Sequence, residues 1–179
     1  HGGPLPVAEA VRIAREVADA LDYAHRHGYV HRDIKSENVL LEEGHAFVAD
    51  FGVARALAAG GQGPKLTEVG FAIGTPYYMS PEQAAGDAAV DGRADLYALG
   101  CVLFEMLAGK PVFEGTTAQA LARQHLVDTP RRLRTLRQDV PAAVEQVVER
   151  ALAKTPGDRY ESAAALADTA GESRIVVHV

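Results

Sequence analysis

Between Ala94 and Ala108 the chain reads ADLYALGCVLFEMLA, apolar on nearly every side of a helix. A helix without a polar face belongs in an interior, so the rest of the chain is expected to wrap around it. Three further segments carry one apolar face at helical spacing. Val7, Val11, Ala14, Val17, Ala18, Leu21 and Ala24 predict a long helix from Val7 to His27, stopped at Gly28 after a basic turn. Thr116–Leu126 and Ala142–Ala153 predict amphipathic helices, and Ser162–Thr169 a short last one. Val39-Leu40-Leu41 and Ala46-Phe47-Val48, joined by Glu42-Glu43-Gly44, predict a hairpin. Glycine and proline leave no period in 50–82, which reads as a long loop, and 172–179 reads as a strand-like tail. The expected class is mainly α with a small β hairpin.

The chain has 179 residues, 47% of them hydrophobic, enough for one unit with a substantial core. A net charge of −6 argues against nucleic acid or an anionic membrane as the main partner. No apolar run reaches the roughly 18–20 residues that span a bilayer. The single cysteine, Cys101, forms no internal disulfide and fits a reducing cytoplasmic setting. It lies within the apolar helix, where a small apolar filler is expected. The histidines at 25, 27, 45, 125 and 178 show no metal-ligand spacing, so surface or local packing roles are expected. Arg131, Arg132, Arg134 and Arg137 read as a solvated connector, with an acidic docking partner as the alternative. The opening His1-Gly2-Gly3-Pro4 reads as a cut inside a longer protein.

The polar chemistry concentrates in HRDIKSENVLLEEGHAFVADFG, residues 31–52. Phosphoryl transfer asks for positioning, charge neutralisation and an oriented nucleophile. Asp33 is suited to accept the hydrogen bond and then the proton of an incoming hydroxyl. Asn38 and Asp50 offer the oxygen donors that magnesium prefers. Lys35 is suited to steady a phosphate as a point charge. The turn at Glu42–Gly44 would bring Asp50 back to the loop that carries the others. The alternative for Asp33, Asn38 and Asp50 is a set of caps and turn residues.

This pattern resembles the protein-kinase signatures HRD, Lys at plus two, Asn at plus five, then DFG. GTPYYMSPE (74–82) resembles the substrate-binding end of an activation segment, DLYALG (95–100) the start of a buried central helix, and TPGDRY (155–160) the segment whose arginine pairs with the glutamate of SPE. Order and spacing fit from Val7 to Ala170. The wording resembles eukaryotic-like serine/threonine kinases of bacteria. The resemblance implies ATP and Mg2+ (or Mn2+) as cofactors and protein Ser/Thr hydroxyls as substrates. It implies Asp33 as catalytic base, Lys35 on the γ-phosphate, Asn38 and Asp50 on the metal, and Leu40 under the adenine. Thr75 would sit near Asp33 and Lys35 and help accept the substrate. Arg32 would pair with a phosphate on the activation loop, with Thr67 as the phosphosite or else a plain loop threonine. His31 and Phe51 would stack in a regulatory spine, Asp95 would brace the catalytic-loop backbone, and Glu82 would pair with Arg159.

The sequence contains no GxGxxG, and none of its four lysines follows a VAIK-type strand. The resemblance therefore implies a C-lobe alone over 1–171, with the N-lobe expected elsewhere in a parent protein that could itself be membrane-anchored outside this segment. On that reading the segment is inactive by itself. A second function is a non-catalytic kinase-like scaffold that binds partner proteins. Small-molecule kinases of the aminoglycoside type share the sparse Asp, Asn, Asp logic but not GTPYYMSPEQ, and rank last.

Overall fold

The computed structural model describes residues 3–51 and 76–172. Thr67, Thr75 and most of the expected tail lie outside the described residues. The architecture is mostly helical with one two-stranded antiparallel sheet.

Helix α1 spans Val7–Arg26. Ala10, Ile13, Ala14, Val17, Ala18 and Leu21 are buried along one face, while Glu9 in the first turn and His25 and Arg26 in the last complement the helix dipole. Burying a side chain such as Leu21 contributes roughly 1.5–3 kcal/mol before entropy is counted. The sheet pairs β1 (Val39–Glu42) with β2 (His45–Val48) in the register Val39↔Val48 to Glu42↔His45. Glu43 and Gly44 turn the hairpin with φ of 50° and 85°, the two-residue turn whose twist matches paired strands. The Glu16 carboxylate on α1 accepts from the Ala46 amide at 2.6 Å, which clips the hairpin to the helix.

Helix α2 (Pro81–Ala85) falls at the end of the stretch expected to be loop. Its reason is local: Ser80 and Gln83 form a reciprocal capping box and Pro81 occupies the first turn. Helix α3 (Arg93–Ala108) is the apolar segment, and most of its residues are buried. It packs against α1 on one side and against α6 (Ala142–Ala151) on another. Gly100 permits that second approach, because a Cβ there would lie 2.8 Å from the Ala151 Cβ. Helix α4 (Ala118–Val127) is capped by Thr117 and lies beside α2.

The arginine stretch read as a connector contains a helical turn, α5 (Leu133–Leu136), because Leu133 is buried in the core. Arg137 is not a solvated member of that cluster: Nη1 donates to the carbonyls of Leu5 and Leu107, and the guanidinium pairs with Asp139. The last helix, α7 (Ala163–Glu172), packs on α1. It runs past Thr169, so residue 172 is helical rather than the start of a strand-like tail. Cys101 is fully buried, and burial pushes its thiol far up, as expected of an apolar filler.

Candidate functional site

The loop between α1 and the 3-10 turn Ser36–Asn38 is held from below by Asp95, in the first turn of α3. Asp95 is fully buried. Its Oδ2 accepts from the His31 amide at 2.9 Å and its Oδ1 from the Arg32 amide at 2.7 Å. His25 Nε2 contacts the same Oδ2 at 2.8 Å. These bonds hold Arg32 at φ 66°, a left-handed conformation that turns the chain and sends Asp33 outward.

His31 is buried and joins the loop to the strand end. Its Nδ1 accepts from the Asp33 amide at 3.3 Å, so the ring proton lies on Nε2 and is donated to the Ala49 carbonyl at 2.9 Å. The Phe51 ring meets the His31 ring edge-on at 4.8 Å between centroids.

Asp33 projects to solvent with 61% of its side chain exposed. Lys35 Nζ donates to its Oδ2 at 2.7 Å. The Lys35 ammonium is held above its ordinary range first by that bond and further by the charges of Asp33, Glu37 and Asp50, against a partial loss of hydration. Asn38 is buried, and its Nδ2 donates to the Asp33 carbonyl at 2.8 Å and more weakly to Oδ2 at 3.4 Å. Asp50 is exposed at φ 62°, just beyond the hairpin, and its charge reaches Lys35. The hairpin does bring this carboxylate back to the loop: the Ala49 amide donates to the Asn38 carbonyl at 2.9 Å. Leu40 lies on the open face of β1 with 53% exposure.

Among the described residues no group of three or more His, Cys, Asp or Glu side chains is placed to hold a metal alone. Asn38 and Asp50 nevertheless fit a hard cation. The Asn38 amide nitrogen is committed to Asp33, which leaves its oxygen as the ligating atom, and Asp50 adds a carboxylate. Two protein oxygens suit magnesium, which keeps waters and takes phosphate oxygens for the rest.

Farther from Asp33, Glu82 and Arg159 meet in a bidentate pair at 2.7 Å for both contacts. The Arg32 guanidinium donates to the Val90 carbonyl at 3.2 Å and its own carbonyl accepts from Gln83 Nε2 at 2.9 Å.

The partners of His25, Tyr78 and His125 were not assigned from the sequence. For His25 a surface or local packing role was expected; it supports Asp95 across 70 residues of sequence and packs so closely on Gly92 that a Cβ there would lie 2.7 Å from the ring. Tyr78 joins Ser36 and Glu105 through its hydroxyl. His125 is buried against Tyr97 and Phe113, and desolvation together with the nearby Lys154 charge pulls its imidazole down to about 4.

A family model described as "Protein kinase domain" matches residues 1–169. The serine/threonine-protein kinase PknB of Mycolicibacterium smegmatis is 43% identical over 163 residues, which are 90% of this chain and 26% of that protein. The serine/threonine-protein kinase PknD of Mycobacterium tuberculosis is 45% identical over 175 residues, 96% of this chain and 25% of that protein. The chain thus spans about a quarter of the length of these curated relatives. The crystal structure of Rad53 1-466 in complex with AMP-PNP shares the fold with a TM-score of 0.73 at 22% identity, over 93% of this chain and 40% of that one.

Proposed function

Because the chain belongs to the protein kinase family, as a bacterial-type serine/threonine member, we propose that it forms the part of a catalytic domain that receives the γ-phosphate of ATP and the accepting protein hydroxyl. The observation that carries this reading is the convergence on Asp33: Lys35 and Asn38 both bond to it, and it alone of the three stands largely in solvent.

In this mechanism Asp33 Oδ accepts the hydrogen bond of a substrate Ser or Thr hydroxyl. The hydroxyl oxygen forms a bond to the γ-phosphorus as the bond from that phosphorus to the bridging oxygen of ADP breaks. The proton passes to Asp33. Lys35 sits on Asp33 and so stands beside the transferring group, where its ammonium offsets phosphate charge. Asn38 and Asp50 would hold magnesium, which when bound neutralises charge on the nucleotide phosphates. Leu40 offers an apolar platform for the base, and the His31–Phe51 contact ties Asp50 to the loop of Asp33. Thr75, Arg32 and Thr67 keep the roles the family pattern gives them: substrate acceptance, a partner for an activation-loop phosphate, and the phosphosite.

The sequence has no glycine-rich phosphate loop and no strand lysine for the α- and β-phosphates. The reading therefore assigns the nucleotide's other contacts to an N-lobe and leaves residues 1–179 inactive alone. A second reading, a partner-binding scaffold, is favoured by one observation. Leu40 and Phe47, paired across the two strands on one face of the sheet, are each more than half exposed, an apolar patch suited to a protein partner.

The two readings part in one experiment. Residues 1–179 are joined to the N-lobe of the PknB relative, and phosphate transfer to a Ser/Thr peptide is measured with Mg-ATP. The kinase reading expects transfer in the fusion, none in residues 1–179, and a loss of about 10²–10⁴-fold on Asp33→Asn. A fusion that binds ATP and transfers nothing supports the scaffold. Transfer by residues 1–179 overturns the assignment of inactivity.

A further inference from the structure

Residues 32–36 carry Asp33 and Lys35, and both ends of this stretch are bonded to the segment that follows Pro76. At one end the Arg32 carbonyl accepts from Gln83 Nε2 at 2.9 Å. At the other, Ser36 Oγ and the Tyr78 hydroxyl lie 2.6 Å apart. Tyr78 in turn donates to Glu105 Oε2 at 2.6 Å, which roots it in α3.

The proton count fixes the direction of this chain. An ionised carboxylate only accepts, so the Tyr78 proton points to Glu105. The Tyr78 oxygen then accepts from Ser36 at 2.6 Å, a far shorter contact than the 3.5 Å from the same hydroxyl to Glu37 Oε2. The result is a directed relay from Ser36 through Tyr78 to Glu105, with each hydroxyl used once as donor. Tyr78 is half-buried, and burial and the Glu105 bond push its phenol well up, so the proton stays in place across the physiological range. Gln83 is pinned as well, because its Oε1 accepts from the Ser80 amide at 3.1 Å in the capping box of α2.

We propose that Ser36 and Gln83 are positioning residues: together they clamp the Asp33 loop at two points onto the Tyr78–Gln83 segment and so set where an accepting peptide lies relative to Asp33. The clamp rests on the kinase reading above only for its consequence in catalysis; the coupling of the two segments belongs to the structure itself. Neither side chain touches the reacting atoms. Ser36 acts through Tyr78, and Gln83 through the Arg32 carbonyl.

The test has two arms. In residues 1–179, amide hydrogen exchange is followed at Arg32–Asn38 and at α6. Ser36→Ala and Tyr78→Phe are expected to speed exchange in the loop by about three- to tenfold, the size of one lost hydrogen bond, and to leave α6 unchanged. Ser36→Thr keeps the hydroxyl and restores the parent rate. In the fusion bearing an N-lobe, Ser36→Ala raises the peptide KM by about three- to tenfold with the ATP KM unchanged. The Ser36→Ala/Tyr78→Phe double variant is no worse than Tyr78→Phe alone.

Parent-like exchange in Ser36→Ala, failure of Ser36→Thr to restore it, or faster exchange spreading through α6 overturns the clamp. A looser loop with an unchanged peptide KM overturns its role in placing the peptide. If the fusion is inactive the kinase reading fails, while the exchange arm still decides whether the clamp exists.

Discussion

Arg159 donates from both terminal nitrogens to the two carboxylate oxygens of Glu82, 77 residues earlier, each at 2.7 Å. The Arg159 side chain is fully buried and that of Glu82 is 7% exposed. Arg159 also donates to the carbonyls of Ala153, Arg93 and Lys154. One guanidinium thus joins α2, the start of α3 and the 153–158 turn.

Breaking this pair from either side is expected to be costly, because a buried charge is left behind. Glu82→Ala and Arg159→Ala should each destabilise by about 3–5 kcal/mol, with Arg159→Ala the worse because three carbonyls lose their donor as well. Urea midpoints of the two variants check this. Replacing both with methionine should cost less than the sum of the two losses.

The same pair sets an acid dependence. Burial pushes the Glu82 carboxyl up, but the Arg159 bonds and charge outweigh it and hold the group below its ordinary 4.5. The folded state therefore binds this proton less readily than the unfolded one. The stabilisation is fully present above about pH 4.5 and is lost as pH falls through the lower folded value. Glu82→Gln should flatten the acid limb of a stability–pH curve, relative to the parent, below that pH. Parallel curves would show that Glu82 is not responsible.

Asp95 supports the loop that carries Asp33, so its loss should be felt across that loop. Asp95→Ala leaves the buried amide of His31 and the part-buried amide of Arg32 without their acceptor and should destabilise by about 2–4 kcal/mol. His25→Ala removes only one contact to the same carboxylate and should cost about 1 kcal/mol or less. Thermal unfolding of the two variants ranks them, and the reverse order would contradict the assignment of Asp95 as the anchor.

Gly100 lets α3 approach α6. Gly100→Ala places a methyl group 2.8 Å from the Ala151 Cβ and should destabilise by about 1–3 kcal/mol through overpacking. Ala151→Gly in the same chain should recover part of that loss, and its failure to do so would place the clash elsewhere.

The elements that declared themselves in the sequence were those with long periodic signals. The buried faces of α1 and α3 follow directly from the spacing of Val17 and Leu21 and from the apolar run around Leu99 and Phe104. The hairpin followed from Gly44 between two short apolar runs. The placement of Asp33, Lys35 and Asn38 was legible because all three lie within six residues. The missed elements have other causes. Helix α2 is five residues long and is made by a cap rather than a period. Helix α5 was hidden because it is four residues long and set among Arg131, Arg132, Arg134 and Arg137, with Leu133 as its buried anchor. The contacts of His25 with Asp95 and of Ser36 with Tyr78 span 70 and 42 residues, and only the folded chain brings them together.

Arg32 and Asp50, at φ 66° and 62°, hold a left-handed backbone conformation that disfavours most side chains. Each position costs the fold roughly 1–2 kcal/mol that glycine would not. A selection for heat resistance alone would therefore drift toward glycine at 32 and 50 and discard the guanidinium and the carboxylate. On the proposed function, durability and chemistry are opposed at these two positions, and the strain at each is what the chain gives up in stability to keep its side chain.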